Sequence, residues 1–150
     1  MYGAGSDPLI WEVHPAKERY KEPNFREYFD GAIQSGSAFS ILDRGSGAII
    51  GSSRYHGFNP ELREIEIGWT FLSRSVWGGA YNREIKGMMI DHAFGFADCV
   101  LFWIGETNIR SRRAVEKIGG QLRDGIFVRT HQGVDHPYVS YEIRKSNWRK

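Results

Sequence analysis

The stretch Glu64-Ile65-Glu66-Ile67-Gly68-Trp69-Thr70-Phe71 alternates polar and apolar side chains with period two, the mark of a strand with one face on a core. A glycine turn follows, and then Ile85, Met88, Met89, Ala93 and Phe96 recur at helical spacing between about Tyr81 and Asp98. The chain next enters Val100-Leu101-Phe102-Trp103-Ile104, a continuous apolar run expected of a strand buried on both faces. Strand, helix and buried strand in this order predict a right-handed crossover between parallel strands.

The flanking segments supply antiparallel partners. Ala38 to Leu42 and Ala48 to Tyr55, joined by the turn cluster Asp43-Arg44-Gly45-Ser46-Gly47, read as a hairpin ahead of the alternating strand. After the buried strand, Thr107 or Asn108 caps a helix carrying Ala114, Val115 and Ile118, ended by Gly119 or Gly120. Two closing strands, about Leu122 to Thr130 and Tyr138 to Arg144, are joined through Gln132-Gly133-Val134-Asp135. Near the start, Phe25, Tyr28, Phe29, Ala32 and Ile33 follow Pro23-Asn24 as an amphipathic helix stopped by Gly36. The expected class is α+β, a mixed and mostly antiparallel sheet around one β-α-β crossover, in a single domain over residues 1–150.

Composition narrows the partners. A net charge of +2 is too small to argue for nucleic acid or a membrane surface, and no apolar stretch approaches a transmembrane span. Cys99 is the single cysteine, so no internal disulfide forms, and at the edge of an apolar run it reads as a small buried hydrophobe. Histidines 14, 56, 92, 131 and 136 lack metal-ligand spacing and one cysteine does not complete a zinc site, so no metal is expected. A cytoplasmic protein is the expectation.

The segment Arg74-Ser75-Val76-Trp77-Gly78-Gly79-Ala80-Tyr81-Asn82 joins the alternating strand to the crossover helix. The first N–H groups of a helix lack intrahelical partners and sit at the positive end of its dipole, so small residues there admit an anion such as a pyrophosphate. Glycines also make plain tight turns. Neither the Gly-x-x-x-x-Gly-Lys-Ser/Thr pattern nor a Gly-x-Gly-x-x-Gly after a strand is present, which argues against ATP and dinucleotides.

On these residues the chain resembles the GCN5-related N-acetyltransferase (GNAT) superfamily, in particular the branch of ribosomal-protein N-terminal (RimJ/RimL-like) acetyltransferases. The family's acetyl-CoA signature is Gln/Arg-x-x-Gly-x-Gly/Ala; Gly78 and Ala80 meet it, while Ser75 replaces the first residue with Arg74 just before. The branch also carries Asn-x-x-Ser followed by Ala, Lys and Gly, matched by Asn108, Ser111, Ala114, Lys117 and Gly119. Family members usually open with a strand that this chain lacks or shortens, which leaves a sheet edge open to a second copy in a homodimer.

The resemblance implies transfer of an acetyl group from acetyl-CoA to an amine. The alternating and buried strands would splay apart around the pantetheine arm, with backbone groups near Phe71 and Leu72 pairing with its amides. Trp77, Gly78, Gly79, Ala80, Tyr81 and Asn82 would hold the pyrophosphate, Asn108 would orient the pantetheine, and Arg113 stands in a basic run suited to the 3′-phosphate. Glu66 is the candidate general base, with Glu64 on the same side and His56 as a substitute. The tyrosine that many members use as acid is replaced by Val115, so Ser111 is the candidate acid, with Tyr138 and Tyr141 in reserve. A domain that binds CoA without turnover is the alternative from another class.

Overall fold

The computed structural model describes residues 1–148, in which four helices and seven strands build one mixed, mostly antiparallel sheet. Helix α1 (Tyr2–Gly5) and α2 (Glu22–Ser35) precede the strands β1 (Ala38–Leu42), β2 (Ile49–Asn59) and β3 (Glu64–Leu72). Helix α3 (Tyr81–Ala93) leads to β4 (Cys99–Gly105), and α4 (Ile109–Lys117) to β5 (Gln121–Leu122), β6 (Phe127–His131) and β7 (Val134–Arg144). The order across the sheet is β1-β2-β3-β4-β7, with β5 and β6 both on the outer edge of β7. No strand precedes Ala38 among the described residues, so β1 is an edge, as the sequence led us to expect. No described helix is long and apolar enough to cross a membrane.

Two cores lie on opposite faces. The larger packs Ile85, Met89 and Ile90 of α3 and Val115 of α4 against Ile65, Ile67, Val100, Phe102 and Tyr141. The smaller joins Phe25 and Tyr28 of α2 to Ile10, Trp11 and Phe71.

The feature that positions the site is where β3 and β4 stop pairing. They run parallel only from Glu64 opposite Cys99 to Glu66 opposite Leu101. Beyond that, β3 continues with β2 alone and β4 continues with β7 alone as far as Gly105 opposite Tyr138. The two strands therefore splay, as the family resemblance implied.

The alternation in β3 does not run straight through. Trp69 has a left-handed φ of 51°, and the β2 register jumps from Arg54 opposite Gly68 to Ser52 opposite Phe71. This β-bulge adds one residue and reverses the parity of the rest of the strand. Ile65, Ile67 and Leu72 face α3, whereas Phe71 packs in the α2 core. The sequence pattern had grouped Trp69 and Phe71 with the isoleucines.

Other boundaries moved too. Helix α3 ends at Ala93 rather than near Asp98, because the backbone turns through Phe94 and Gly95, and Gly95 N–H bonds His92 C=O. Met88, expected on its apolar face, is 59% exposed. The first closing strand splits into β5 and β6, and β7 begins at Val134, earlier than expected, after a tight turn with Gln132 at φ 50° and Gly133 at φ 76°. Helix α2 begins one residue before Pro23, which occupies its tolerant first turn.

Candidate active site

The glycine turn sits at the open end of the splay. Arg74–Val76 form a short 3₁₀ turn after β3, Gly78 takes φ +76°, and α3 starts at Tyr81 with no side-chain cap. A Cβ at Gly78 would have nothing within 4 Å, and one at Gly79 would make only ordinary contacts with Tyr81 at 3.7 Å and Val76 O at 3.9 Å. The turn is thus an open cradle on an uncapped helix start, a fit for a pyrophosphate. Trp77 closes one side: its Nε1 donates to the Leu72 carbonyl at 2.9 Å, so that carbonyl already has a partner. Phe71 is buried against Trp11, Phe25 and Tyr28. Tyr81 and Asn82 lie in the first turn of α3, with Tyr81 exposed and Asn82 half-buried.

At the other strand end, Asn108 is buried and caps α4, its Oδ1 accepting from the Ser111 amide at 3.2 Å. Ser111 is half-buried one turn along, and its hydroxyl has no hydrogen-bond partner among the described residues. Val115, at the position where a tyrosine often stands in the family, is a core residue under Gly120. Arg113 is exposed and forms no ion pair among the described residues. Arg112 instead binds the Tyr141 hydroxyl at 3.0 Å and the Glu106 carbonyl at 2.9 Å. Tyr141 also donates to Glu116 at 2.7 Å, so it serves to tie α4 to the sheet.

Glu66 stands at the closed end of the splay, on the last β3 residue that pairs with β4. Its Oε2 accepts from Arg129 at 2.7 Å, while Oε1 is buried without a partner. Glu66 and Ser111 are not hydrogen-bonded to one another among the described residues. Glu64 points to the same side but is engaged by Arg123, which also bridges to Glu142. With Cys99 these carboxylates form the one cluster of potential metal ligands among the described residues, and the guanidinium already lies between them. Cys99 is buried, and burial pushes its thiol up to about 11. His56 is exposed and packs its ring 5.0 Å from Trp69.

Lys86 and Arg129, both at the splay, went unmarked in the sequence. Lys86 of α3 is buried, its Nζ bonded to Thr70 Oγ1 and 5.4 Å from the Phe102 ring centroid, so it bridges β3 and β4. Burial without a carboxylate partner drops its amine to about 7. Arg129 lies over Trp69 of β3, Trp103 of β4 and Tyr138 of β7, at 5.2, 4.8 and 5.4 Å. The Tyr138 hydroxyl meets His131 Nε2 at 2.6 Å, and burial raises its pKa. His14, whose Nδ1 accepts from the Ala16 amide, is held neutral first by desolvation and then by Arg19. Pro15 packs so closely on Gly105 that a Cβ there would come within 2.7 Å of it. The helical period could have found Lys86, which stands three and four residues before the buried Met89 and Ile90. A cleft of about 660 Å³ lies between β1 and α3, lined by Phe39, Ile41, Met88 and His92 among others, and reaches Tyr81 at the start of α3.

A family model described as "Acetyltransferase (GNAT) domain" matches residues 2–121. The chain belongs to the GNAT acetyltransferase family. Enzymes of this family use acetyl-CoA as the acetyl donor. No curated protein matches the chain. Among solved structures it resembles a protein from T. thermophilus described as an acetyltransferase, at 25% identity, covering 98% of this chain and 82% of that one with TM-score 0.74. A GCN5-related N-acetyltransferase from Brucella melitensis shares the fold at 21% identity, covering 98% of this chain and 70% of that one, with TM-score 0.79. The fold is shared as well by a spermidine N-acetyltransferase from Vibrio cholerae in complex with CoA and spermine, at 15% identity, 97% and 88% coverage and TM-score 0.67. The fold that carries the splay and the uncapped helix is shared with these acetyltransferases.

Proposed function

We propose that residues 1–150 form one acetyl-CoA-binding domain that acetylates a primary amine by direct transfer, without an acetylated enzyme. The observation that carries this reading is the junction of two features. Pairing of β3 with β4 stops at Glu66 and Leu101, and the gap so opened ends beside the uncapped start of α3 with its Gly78-Gly79 cradle. Trp77, Gly78, Gly79, Ala80, Tyr81 and Asn82 hold the pyrophosphate, and Asn108 and the Phe71–Leu72 backbone, apart from the Leu72 carbonyl that Trp77 engages, orient the pantetheine in the gap. Arg113, exposed on α4, is the proposed contact for the 3′-phosphate.

Bound acetyl-CoA supplies a thioester: the new N–C bond forms as the C–S bond breaks, the amine gives up a proton, and the thiolate gains one. For this the domain must provide a base, a dipole for the developing oxyanion and a proton donor. Glu66 takes the first role through Oε1, the oxygen that Arg129 leaves without a partner. The bulge at Trp69 interrupts the β2 ladder, and the β3 backbone beside it is the proposed source of an N–H for the oxyanion. Ser111, with no other hydrogen bond on its hydroxyl among the described residues, is the donor toward the sulfur. Thiols have a reference pKa near 8.5, so this last demand is small.

The spacing from Asn108 to Gly119 favours the ribosomal-protein N-terminal branch of the family. The open β1 edge, with Phe39 and Leu42 exposed, suits a homodimer, and the cytoplasm is the compartment this reading implies. The test is thermal stabilisation by acetyl-CoA, CoA, ATP and NAD, where a ligand at 100 times its Kd adds about 2.7 kcal/mol. A shift with the CoA species alone, with thiol release across a panel of amines, is the expected result. Stabilisation without thiol release from any amine would favour the binding-only alternative, and no stabilisation would overturn both.

A further inference from the structure

Three arginines from distant parts of the chain are stacked among aromatic rings on the α2 side of the splay. Arg19 lies 5.1 Å from Trp11 and 4.9 Å from Tyr28, and Arg54 lies 5.6 Å from Tyr28 and 4.3 Å from Trp69. Arg129 continues the series over Trp69, Trp103 and Tyr138. The rings are shared, so cation and aromatic alternate from Trp11 to the two strands that splay.

The charge of this ladder is poorly balanced. Glu66 pairs with Arg129 alone, and among the described residues neither Arg19 nor Arg54 has an ion pair. Arg54 is 8% exposed, its Nε is buried without a hydrogen-bond partner, and Glu66 and Tyr28 are the groups that favour its charge. Burial disfavours the charge of Arg19 most; Tyr28, Tyr138 and Glu27 favour it, and Arg54 works against it. Around these guanidiniums the histidines are driven neutral: desolvation and then Arg19 lower both His14 and His131. A buried cation left without a counter-ion is costly, and stacking on rings offsets only part of it.

An acceptor that approaches the splay from this face meets the guanidiniums of Arg19 and Arg54, which have no ion pair among the described residues, an arrangement that favours an anion over a polycation. We propose that the acceptor amine carries an anionic group, a carboxylate or a phosphate, held by Arg19 and Arg129 with Arg54 behind them. This rests on the reading that transfer occurs at the splay. It separates this chain from the spermidine acetyltransferase whose fold it shares. Arginine presents a planar fork that suits either anion.

The test uses matched amines that differ by the anion: leucine against isoamylamine, and phosphoethanolamine against ethanolamine, with spermidine as the polycation. Two readouts are taken, CoA thiol release and thermal stabilisation by the amine in the presence of CoA. The expected result is kcat/KM at least tenfold higher for the anionic member of one pair, with spermidine poorest; which pair responds separates carboxylate from phosphate. Arg19→Gln, at a half-buried position, should raise KM for that anionic amine at least tenfold and leave KM for its neutral mate unchanged. Arg54→Met should do the same where it folds, and Arg19→Gln keeps the test valid where it does not. Equal rates within both pairs, or spermidine as the best acceptor, would overturn the proposal while sustaining the transfer reading. Anionic amines that stabilise the protein and lose that effect in Arg19→Gln, with no thiol released, would uphold the anion site and sink the transfer reading instead.

Discussion

The Arg110 guanidinium lies 4.2 Å from the centre of the Trp77 ring, joining α4 to the glycine turn across the mouth of the splay. Its Nη2 also donates to the Ile10 carbonyl at 2.7 Å, and Glu12 lies 3.7 Å away. One side chain thus ties together the amino-terminal segment, the turn and the second crossover helix. A hydrogen bond from a charged donor contributes about 1.5–3 kcal/mol, and an exposed cation–π contact about 0.5–1 kcal/mol. Arg110→Ala should lower the unfolding free energy by about 2 kcal/mol in a denaturant titration. Arg110→Lys should recover less than half of that, because lysine keeps the charge but not the planar stack.

Gly79→Glu tests the cradle separately from the fold. The backbone there is not left-handed and a Cβ meets nothing closer than 3.7 Å, so the side chain fits without strain. It places a negative charge beside the N-terminus of α3, where the pyrophosphate is proposed to lie. The melting temperature should stay within about 2 °C of the parent, while acetyl-CoA affinity falls at least tenfold by calorimetry. An unchanged Kd would remove the turn from the site.

Glu66→Gln keeps the shape of the side chain and an oxygen for Arg129, but takes away the proton acceptor. General base catalysis contributes on the order of 10²–10⁴ in rate. We expect kcat to drop by about that range with the acetyl-CoA KM within twofold of the parent. A drop below threefold would move the base elsewhere, with His131 at Tyr138 the next group to test.

Lys86 gives the domain a pH signature. Its amine titrates near 10.5 when unfolded and about 7 in the fold, because burial disfavours the charge. Between those values the unfolded chain binds the extra proton, so this group's contribution to stability grows as pH rises and is lost as pH falls through about 7. Lys86→Met should therefore melt above the parent at pH 6.5, and the gap should shrink by pH 10. A pH-independent gap would mean that the amine stays charged inside.

The crossover was legible in the sequence because its three signals are local. Alternation in Glu64–Phe71, helical spacing from Ile85, and the unbroken run of Val100–Ile104 each lie within one element. The glycine turn and the Asn108 cap were equally local. What the pattern concealed was the bulge, since Trp69 and Phe71 continue the alternation in sequence while the backbone has already changed faces. The arginine ladder was hidden for a different reason. Arg19, Arg54 and Arg129 come from three elements far apart in the chain, and only the tertiary fold stacks them on shared rings. A lone arginine in a strand reads as a solvated residue until its neighbours are known.

The bulge itself supplies the last prediction. A tryptophan at φ 51° costs on the order of 1–3 kcal/mol, so surrounding contacts must hold it there. The Trp69 carbonyl accepts from the Tyr28 hydroxyl at 2.6 Å, and the Trp69 ring lies beside Arg54 and Arg129. Tyr28→Phe keeps the packing against Phe25 and Phe71 and deletes the hydroxyl that the Trp69 carbonyl accepts from and that also meets Ser52. Loss of about 1 kcal/mol corresponds to a fall of about 2–4 °C in Tm for a domain of this size. If the bulge orients backbone donors at the acetyl group, kcat should fall by more than this stability loss explains, at least fivefold, with acetyl-CoA Kd preserved. A variant that loses only stability would leave the bulge a structural feature and place the oxyanion donor elsewhere in the gap.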